Sequence, residues 1–479
     1  MRFCASLLFV LGVLMLWGHC MPASAGETPN IIFILADDVG YGDLSCYDAT
    51  KIQTPHCDKL AREGLRFTDA HSPAAVCTPT RYSFMTGEYH WRKSGTGILR
   101  GIDGLIIEPG RTTVPELLRR AGYTTGAVGK WHLGLGTTPT DYNGEITPGP
   151  LDIGFDYAWL LPATGDRTPC VWIENRYVVN LDPDDPIKLD YSVSRGQPRS
   201  FVKGIPRIGA QEGGTAALWT DSEIADVIAE KGAAFIEQNA KTGKPFFLYL
   251  ATNDIHVPRV PHDRFRGKSE AGIRGDSVVS FDWTVGQVVA TLEKLKLTDN
   301  TLIIVTSDNG GILDTNGPDH VNSGTVETNN GHLHNGVLRG GKGTPFEGGT
   351  RVPFIAKWPG RIPVGESDAL ICQIDILATF AALTRQPLSD KDAPDSENVL
   401  SALLEMNPGR EFLVETGQAL RMGLWKLIPS ADGNSRPQML FHLANDLSEE
   451  SNIAADHPDI VAKMTEELQR IRNTPRTRP

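Results

Sequence analysis

The sequence predicts an α/β fold, a doubly wound, mostly parallel sheet sandwiched by helices, followed by a smaller C-terminal antiparallel-sheet α+β subdomain. Continuous apolar runs at 31–35, 246–250 and 302–305 are of the kind a parallel sheet buries on both faces. Stretches of helical pattern alternate with them. Polar residues follow the runs directly, where open α/β sheets bind their ligands.

The 479 residues exceed one compact core, so a large domain over 26–385 and a small one over 386–479 are expected. Residues 1–25 read as a secretion signal, with Arg2 near the start, an apolar core over 7–17 and Ala23-Ser24-Ala25 as the cleavage site. That run is too short to span a membrane and no later one is longer, so a secreted or periplasmic protein with no stable membrane span is expected. The formal charge of −12 would repel nucleic acid, which is excluded as a partner. Cys46, Cys57, Cys170 and Cys372 could form up to two disulfides in an oxidising compartment, with three connectivities open. No Asn-x-Ser/Thr sequon occurs.

The first strand, 31–35, runs into Asp37-Asp38, and a helix follows near 56–63. Thr113, Pro115 and Gly122 bracket a helix over 113–120 that feeds a strand at 123–128 and then Lys130-Trp131-His132. Residues 137–215 are rich in Pro, Gly, Asp and Arg with little periodicity, and read as a long insertion over one rim. A helix over 221–239 precedes the strand 246–250, which leads to His256. A helix over 277–295 precedes the strand 302–305, which runs into Asp308-Asn309-Gly310. After a strand at 353–356 and a helix at 375–383 comes a linker, 386–400. Short strands at 411–415, 421–428 and 438–442 and a closing helix from Pro458 to about residue 471 then suit a small antiparallel sheet.

The candidate chemistry centres on Cys77-Thr78-Pro79-Thr80-Arg81. With Thr78 as N-cap and Pro79 as the first helical residue, Cys77 would face free backbone N–H groups and the positive end of a helix dipole. Arg81 adds a forked cation shaped for an oxyanion. The phosphatase loop that also pairs Cys with Arg needs five intervening residues, and here there are three. Asp37-Asp38 and Asp308-Asn309 are oxygen donors at two strand ends, a set for a hard divalent cation. Lys130 and His132, two apart, would leave one face of an extended chain. His256 could protonate a leaving alkoxide, and Lys342 lies in a glycine-rich loop that lets backbone approach a ligand.

Cys-x-Pro-x-Arg, continued here as Tyr82-Ser83-Phe84-Met85-Thr86-Gly87, resembles the signature of the cysteine-type sulfatases in the alkaline phosphatase superfamily. The segments Gly-Lys-Trp-His-Leu-Gly, His256-Val257-Pro258, Glu347-Gly348-Gly349 and Gly423-Leu424-Trp425-Lys426 resemble that family as well. The resemblance implies a formylglycine (3-oxoalanine) made from Cys77 by a formylglycine-generating maturation enzyme. It implies Ca2+, or Mg2+, on Asp37, Asp38, residue 77, Asp308 and Asn309, with Arg81, Lys130, His132, His256 and Lys342 as catalytic residues.

The expected activity is hydrolysis of a sulfate ester on a carbohydrate. Two alternatives stand beside it: a phosphomonoesterase or phosphodiesterase of the same superfamily, and an unmatured protein that only binds sulfated glycan. The segment with Asp166, Arg167 and Glu174 resembles that of sulfatases related to N-acetylgalactosamine-6-sulfatase, so these three are candidate sugar contacts and a galacto-configured sugar is implied.

Overall fold

The structure is a computed structural model that describes residues 28–312, 329–430 and 437–478; the expected signal segment lies outside the described residues. Its centre is a ten-stranded sheet. The strands, in chain order, are β1 (Asn30–Ala36), β2 (Leu65–Phe67), β3 (Thr124–Lys130), β4 (Tyr157–Leu161), β5 (Ile173–Glu174), β6 (Tyr177–Val178), β7 (Phe246–Ala251), β8 (Thr301–Ser307), β9 (Phe354–Lys357) and β10 (Gly365–Ser367). They lie in the order β10-β2-β9-β8-β1-β7-β3-β4-β5-β6. The five central strands, β8 to β4, are parallel; β9 and β5 continue the sheet antiparallel on either side.

β1 is buried along its whole length because both faces are covered. Ile31, Phe33 and Leu35 join a core with Phe84, Leu117 and Phe380, from the helices Cys77–Thr86, Val114–Arg120 and Ile376–Thr384. Ile32 and Ile34 join the opposite core with Leu60, Ile236 and Phe281, from Pro55–Arg62, Ile224–Ala240 and Gly272–Lys294. Each such side chain contributes roughly 2 kcal/mol of transfer free energy. A second, four-stranded antiparallel sheet forms from Phe412–Glu415, Ala419–Met422, Trp425–Ile428 and Met439–His442, and the helix Pro458–Asn473 packs on it.

Three expectations change. Residues 137–215 are not only a rim insertion, because they supply β4, a buried member of the parallel sheet, and the edge strands β5 and β6. Their short runs lie between turn residues that mask the pattern. The strand expected at 421–428 is a hairpin, turning at Gly423 with φ 53°. The described cysteines are all free. Cys57 and Cys170 pack in the core beneath one face of the large sheet, whereas Cys372 packs in that of the small sheet; they serve as small apolar residues.

Candidate active site

The carboxyl ends of the parallel strands form one floor. β1 runs into Asp37 and Asp38, β8 into Asp308 and Asn309, and β3 ends at Lys130. The loops after β4 and β7 carry Asp166, Arg167 and His256.

The expected cation ligands interlock there. Asn309 Nδ2 donates to Asp38 Oδ1 at 2.7 Å, and the Asp38 N–H to Asp308 Oδ1 at 3.3 Å. Lys130 Nζ lies 2.7 Å from Asp37 Oδ2 and 3.8 Å from Asp308 Oδ2, and Lys342 Nζ lies 2.6 Å from Asp38 Oδ1. Arg81 grips Asp308 Oδ2 through Nε at 3.0 Å and Nη2 at 2.8 Å. Asp37 Oδ1 and Asn309 Oδ1 remain buried with no hydrogen-bond partner. Orphaned acceptors among buried carboxylates are costly for a protein by itself, and this all-oxygen set fits a hard divalent cation. Burial pushes the Asp37 carboxyl up to about 7 against the pull of Lys130. Burial acts on Asp38 in the same sense, but Lys342 outweighs it and holds that group well below the usual carboxylate range.

Cys77 is the first residue of the helix Cys77–Thr86, capped by extended Val76, so the helix begins ahead of the expected Thr78 cap. The Thr78 hydroxyl donates instead to the His132 carbonyl at 3.0 Å. Cys77 is buried, and Arg81, Arg167 and Lys342 each interact with it electrostatically. Arg81 is not the free fork expected. Its remaining donor, Nη1, serves the Lys130 carbonyl at 2.9 Å and the Tyr249 hydroxyl at 3.2 Å. It therefore fixes Asp308 and the end of β3.

The segment from Lys130 to His132 is not extended, since His132 has φ 56°. His132 Nε2 lies 3.0 Å from the Leu99 carbonyl, which assigns the ring N–H to that side and leaves Nδ1 buried without a partner. Burial, then Lys130 and Arg167, keep this imidazole far below its ordinary value. His256 Nδ1 lies 2.7 Å from the Val257 carbonyl, and its Nε2 lies 4.0 Å from Asp38 Oδ2. Burial and then Lys342 lower it to about 3. Both rings are neutral at pH 7.

The Lys342 loop is stitched between the two halves of the site. Its N–H donates to the Gly311 carbonyl at 2.9 Å, and that of Gly343 to the Ala75 carbonyl at 2.8 Å. Gly310 has to be glycine here, because a Cβ would stand 1.8 Å from the Gly348 carbonyl oxygen. On the rim, Arg167 Nη1 lies 3.0 Å from Asp166 Oδ1, and Arg195 Nη1 lies 3.5 Å from Asp166 Oδ2. Glu174 is not brought to them. It is exposed on β5, and its carboxylate accepts from the Tyr157 hydroxyl at 3.2 Å. Sequence reasoning missed Tyr249, whose hydroxyl accepts from Arg81 and which carried no local signal inside its apolar strand.

A second buried acidic group, Asp69, His71 and Glu347, also has ligand-like spacing. Arg351 and Arg421 contact Asp69 at 2.7 and 2.8 Å, and Lys426 lies 2.7 Å from Glu347 and 2.8 Å from Glu415. Those oxygens already face cations, so this group ties the small sheet to the segment behind Lys342.

An α/β floor that sets buried cations and neutral imidazoles around one helix start defines a hydrolase of oxyanion esters. The family model for sulfatases matches residues 29–386, and the chain belongs to the sulfatase family, as a sulfuric ester hydrolase. It is 45% identical to an N-acetylgalactosamine-6-O-sulfatase of Bacteroides thetaiotaomicron over 93% of each chain. It is 33% identical to human arylsulfatase A, covering 84% of this chain and 71% of that one. Among solved structures, a Bacteroides thetaiotaomicron sulfatase described under the metabolism of multiple glycosaminoglycans superposes with a TM-score of 0.89 at 44% identity, covering 94% of this chain and 100% of the other. The PsFucS1 sulfatase of Pseudoalteromonas gives a TM-score of 0.72 at 26% identity, covering 94% and 92%. No described helix is long and apolar enough to cross a membrane.

Proposed function

We propose that this enzyme removes the 6-sulfate from N-acetylgalactosamine units of a sulfated carbohydrate, after export and after a maturation enzyme has converted Cys77 to formylglycine. The observation that carries the reading is the 45% identity, over 93% of both chains, with a relative of that named activity. The catalytic division is taken to be residues 26–385, with 386–479 as the small subdomain.

Asp37, Asp38, Asp308 and Asn309, with the oxygen at position 77, would hold Ca2+ or Mg2+. The cation would supply Lewis acidity, and hydrated formylglycine two hydroxyls on one carbon, one to attack sulfur and one to release sulfate. Lys130 and Lys342 bring positive charge to the carboxylates and to the incoming sulfate, while Arg81 holds Asp308 in place. His256 keeps its Nδ1 proton on Val257, so Nε2 is the atom that exchanges a proton with the leaving sugar oxygen. Lys342, held as a cation by Asp38, stands beside it, and an anionic ester favours protonation of Nε2. His132, with Nε2 committed to Leu99, takes a proton at Nδ1 from the second hydroxyl of residue 77. Asp166 and Arg167 would contact sugar hydroxyls. The exposed Glu174 is the least suited of the three candidates.

The test is sulfate release from N-acetylgalactosamine-6-sulfate, glucosamine-6-sulfate and a matched pair of aryl sulfate and aryl phosphate, with mass spectrometry of the peptide bearing residue 77. Preferred turnover of the galacto sugar and an aldehyde mass are expected, and Cys77→Ala should lower kcat by about 10³-fold or more. Full activity with an unmodified thiol would overturn the mechanism. Faster hydrolysis of the phosphate would favour the phosphatase alternative, and retained glycan binding without sulfate release after co-expression with a maturation enzyme would favour the binder.

A further inference from the structure

We infer that Arg274 is a positioning residue for the cation site, acting through Asp43 on the turn that presents Asp37 and Asp38. The inference rests on the cation reading above. Arg274 stands in the first turn of the helix Gly272–Lys294 and, like Asp43, is fully buried. Its Nη2 donates to the Asp38 backbone carbonyl at 3.0 Å, and Nε to Asp43 Oδ1 at 3.2 Å. Asp43 also accepts from the Gly40 N–H at 2.7 Å and pairs with His332 Nε2 at 2.9 Å.

Asp38 needs this support. Its φ of 68° lies in the left-handed region, which a non-glycine residue occupies at a cost and keeps only where its surroundings hold it. Arg274 is the side chain that binds its carbonyl. By spanning Asp38 and Asp43 it fixes both ends of the turn, and with them the direction of the Asp38 carboxylate. Groups one bond behind the ligands typically set metal affinity by 10- to 100-fold. Arg274 serves the ligand turn by geometry as well as charge, so lysine, whose donors all sit on one nitrogen, cannot span Asp38 and Asp43 as the planar fork does.

The test is calorimetric titration of chelator-treated full-length enzyme with Ca2+, for wild type, Arg274→Met and Arg274→Lys. Melting temperatures without metal and kcat and KM on an aryl sulfate at low and saturating Ca2+ accompany it. The expected result is a 10- to 100-fold weaker Ca2+ Kd in both variants, with little change in KM and with kcat recovered at saturating Ca2+. If Arg274→Met does not fold, Arg274→Lys and His332→Gln carry the comparison. A lower melting temperature with the wild-type Kd retained would mark a merely structural role and overturn the inference alone. A wild-type enzyme that binds no divalent cation would overturn the cation reading together with it.

Discussion

His90 shows how one imidazole makes stability depend on pH. Its Nε2 is buried without a partner, and burial lowers its pKa from the ordinary 6.5 to about 4. The folded state therefore favours the neutral ring. That contribution is fully present above pH 6.5 and is lost as pH falls through about 4. In urea unfolding, wild type should lose stability relative to His90→Gln between pH 6.5 and 4, by at most ~3 kcal/mol; a pH-independent difference would show the ring to be solvated. The same neutrality at His132 and His256 could not be read from sequence, because it comes from burial and from lysines distant in the chain. The candidate residues could be picked out, since Asp37-Asp38, Cys77-x-Pro-x-Arg81 and Asp308-Asn309 are short patterns that resemble a family's motifs, and their side chains meet on one floor. Arg81 marks the limit. Its identity was legible, but its use was not, because its main partner Asp308 is 227 positions away.

Among the elements, the strands with long apolar runs were the legible ones, because burial on both faces removes polar residues from them. β4 was not, since its five residues lie between turn formers, and the 419–428 hairpin was merged because only two residues, Gly423 and Leu424, separate two short strands. Close backbone passage was equally hidden. Gly310 and Gly348 each look like ordinary loop glycines, yet a Cβ on Gly310 would overlap the Gly348 carbonyl. Gly310→Ala is expected to force the end of β8 away from the Glu347–Thr350 turn, at a cost on the order of 3 kcal/mol. Thermal melting should register this together with loss of sulfate release, and wild-type values in both would show that the two segments separate freely.

Across the molecule, export was the expectation that suggested disulfides, yet the five described cysteines are free and stability rests on the apolar layers and buried ion pairs. Reducing agent should therefore leave the melting temperature unchanged, whereas a drop of several degrees in dithiothreitol would point to crosslinks formed in the protein. The ion pairs carry a further meaning for how the chain can be divided. The family match ends at residue 386, but of the two cations that pair with Glu347 at 2.7 Å, Arg351 and Lys426, the second lies forty residues beyond that boundary. A chain stopped at the boundary would leave a carboxylate inside the protein with part of its counter-charge gone, immediately behind the loop that carries Lys342. What looks like an accessory tail is thus a lock on the segment behind Lys342, and removing it is expected to loosen that loop.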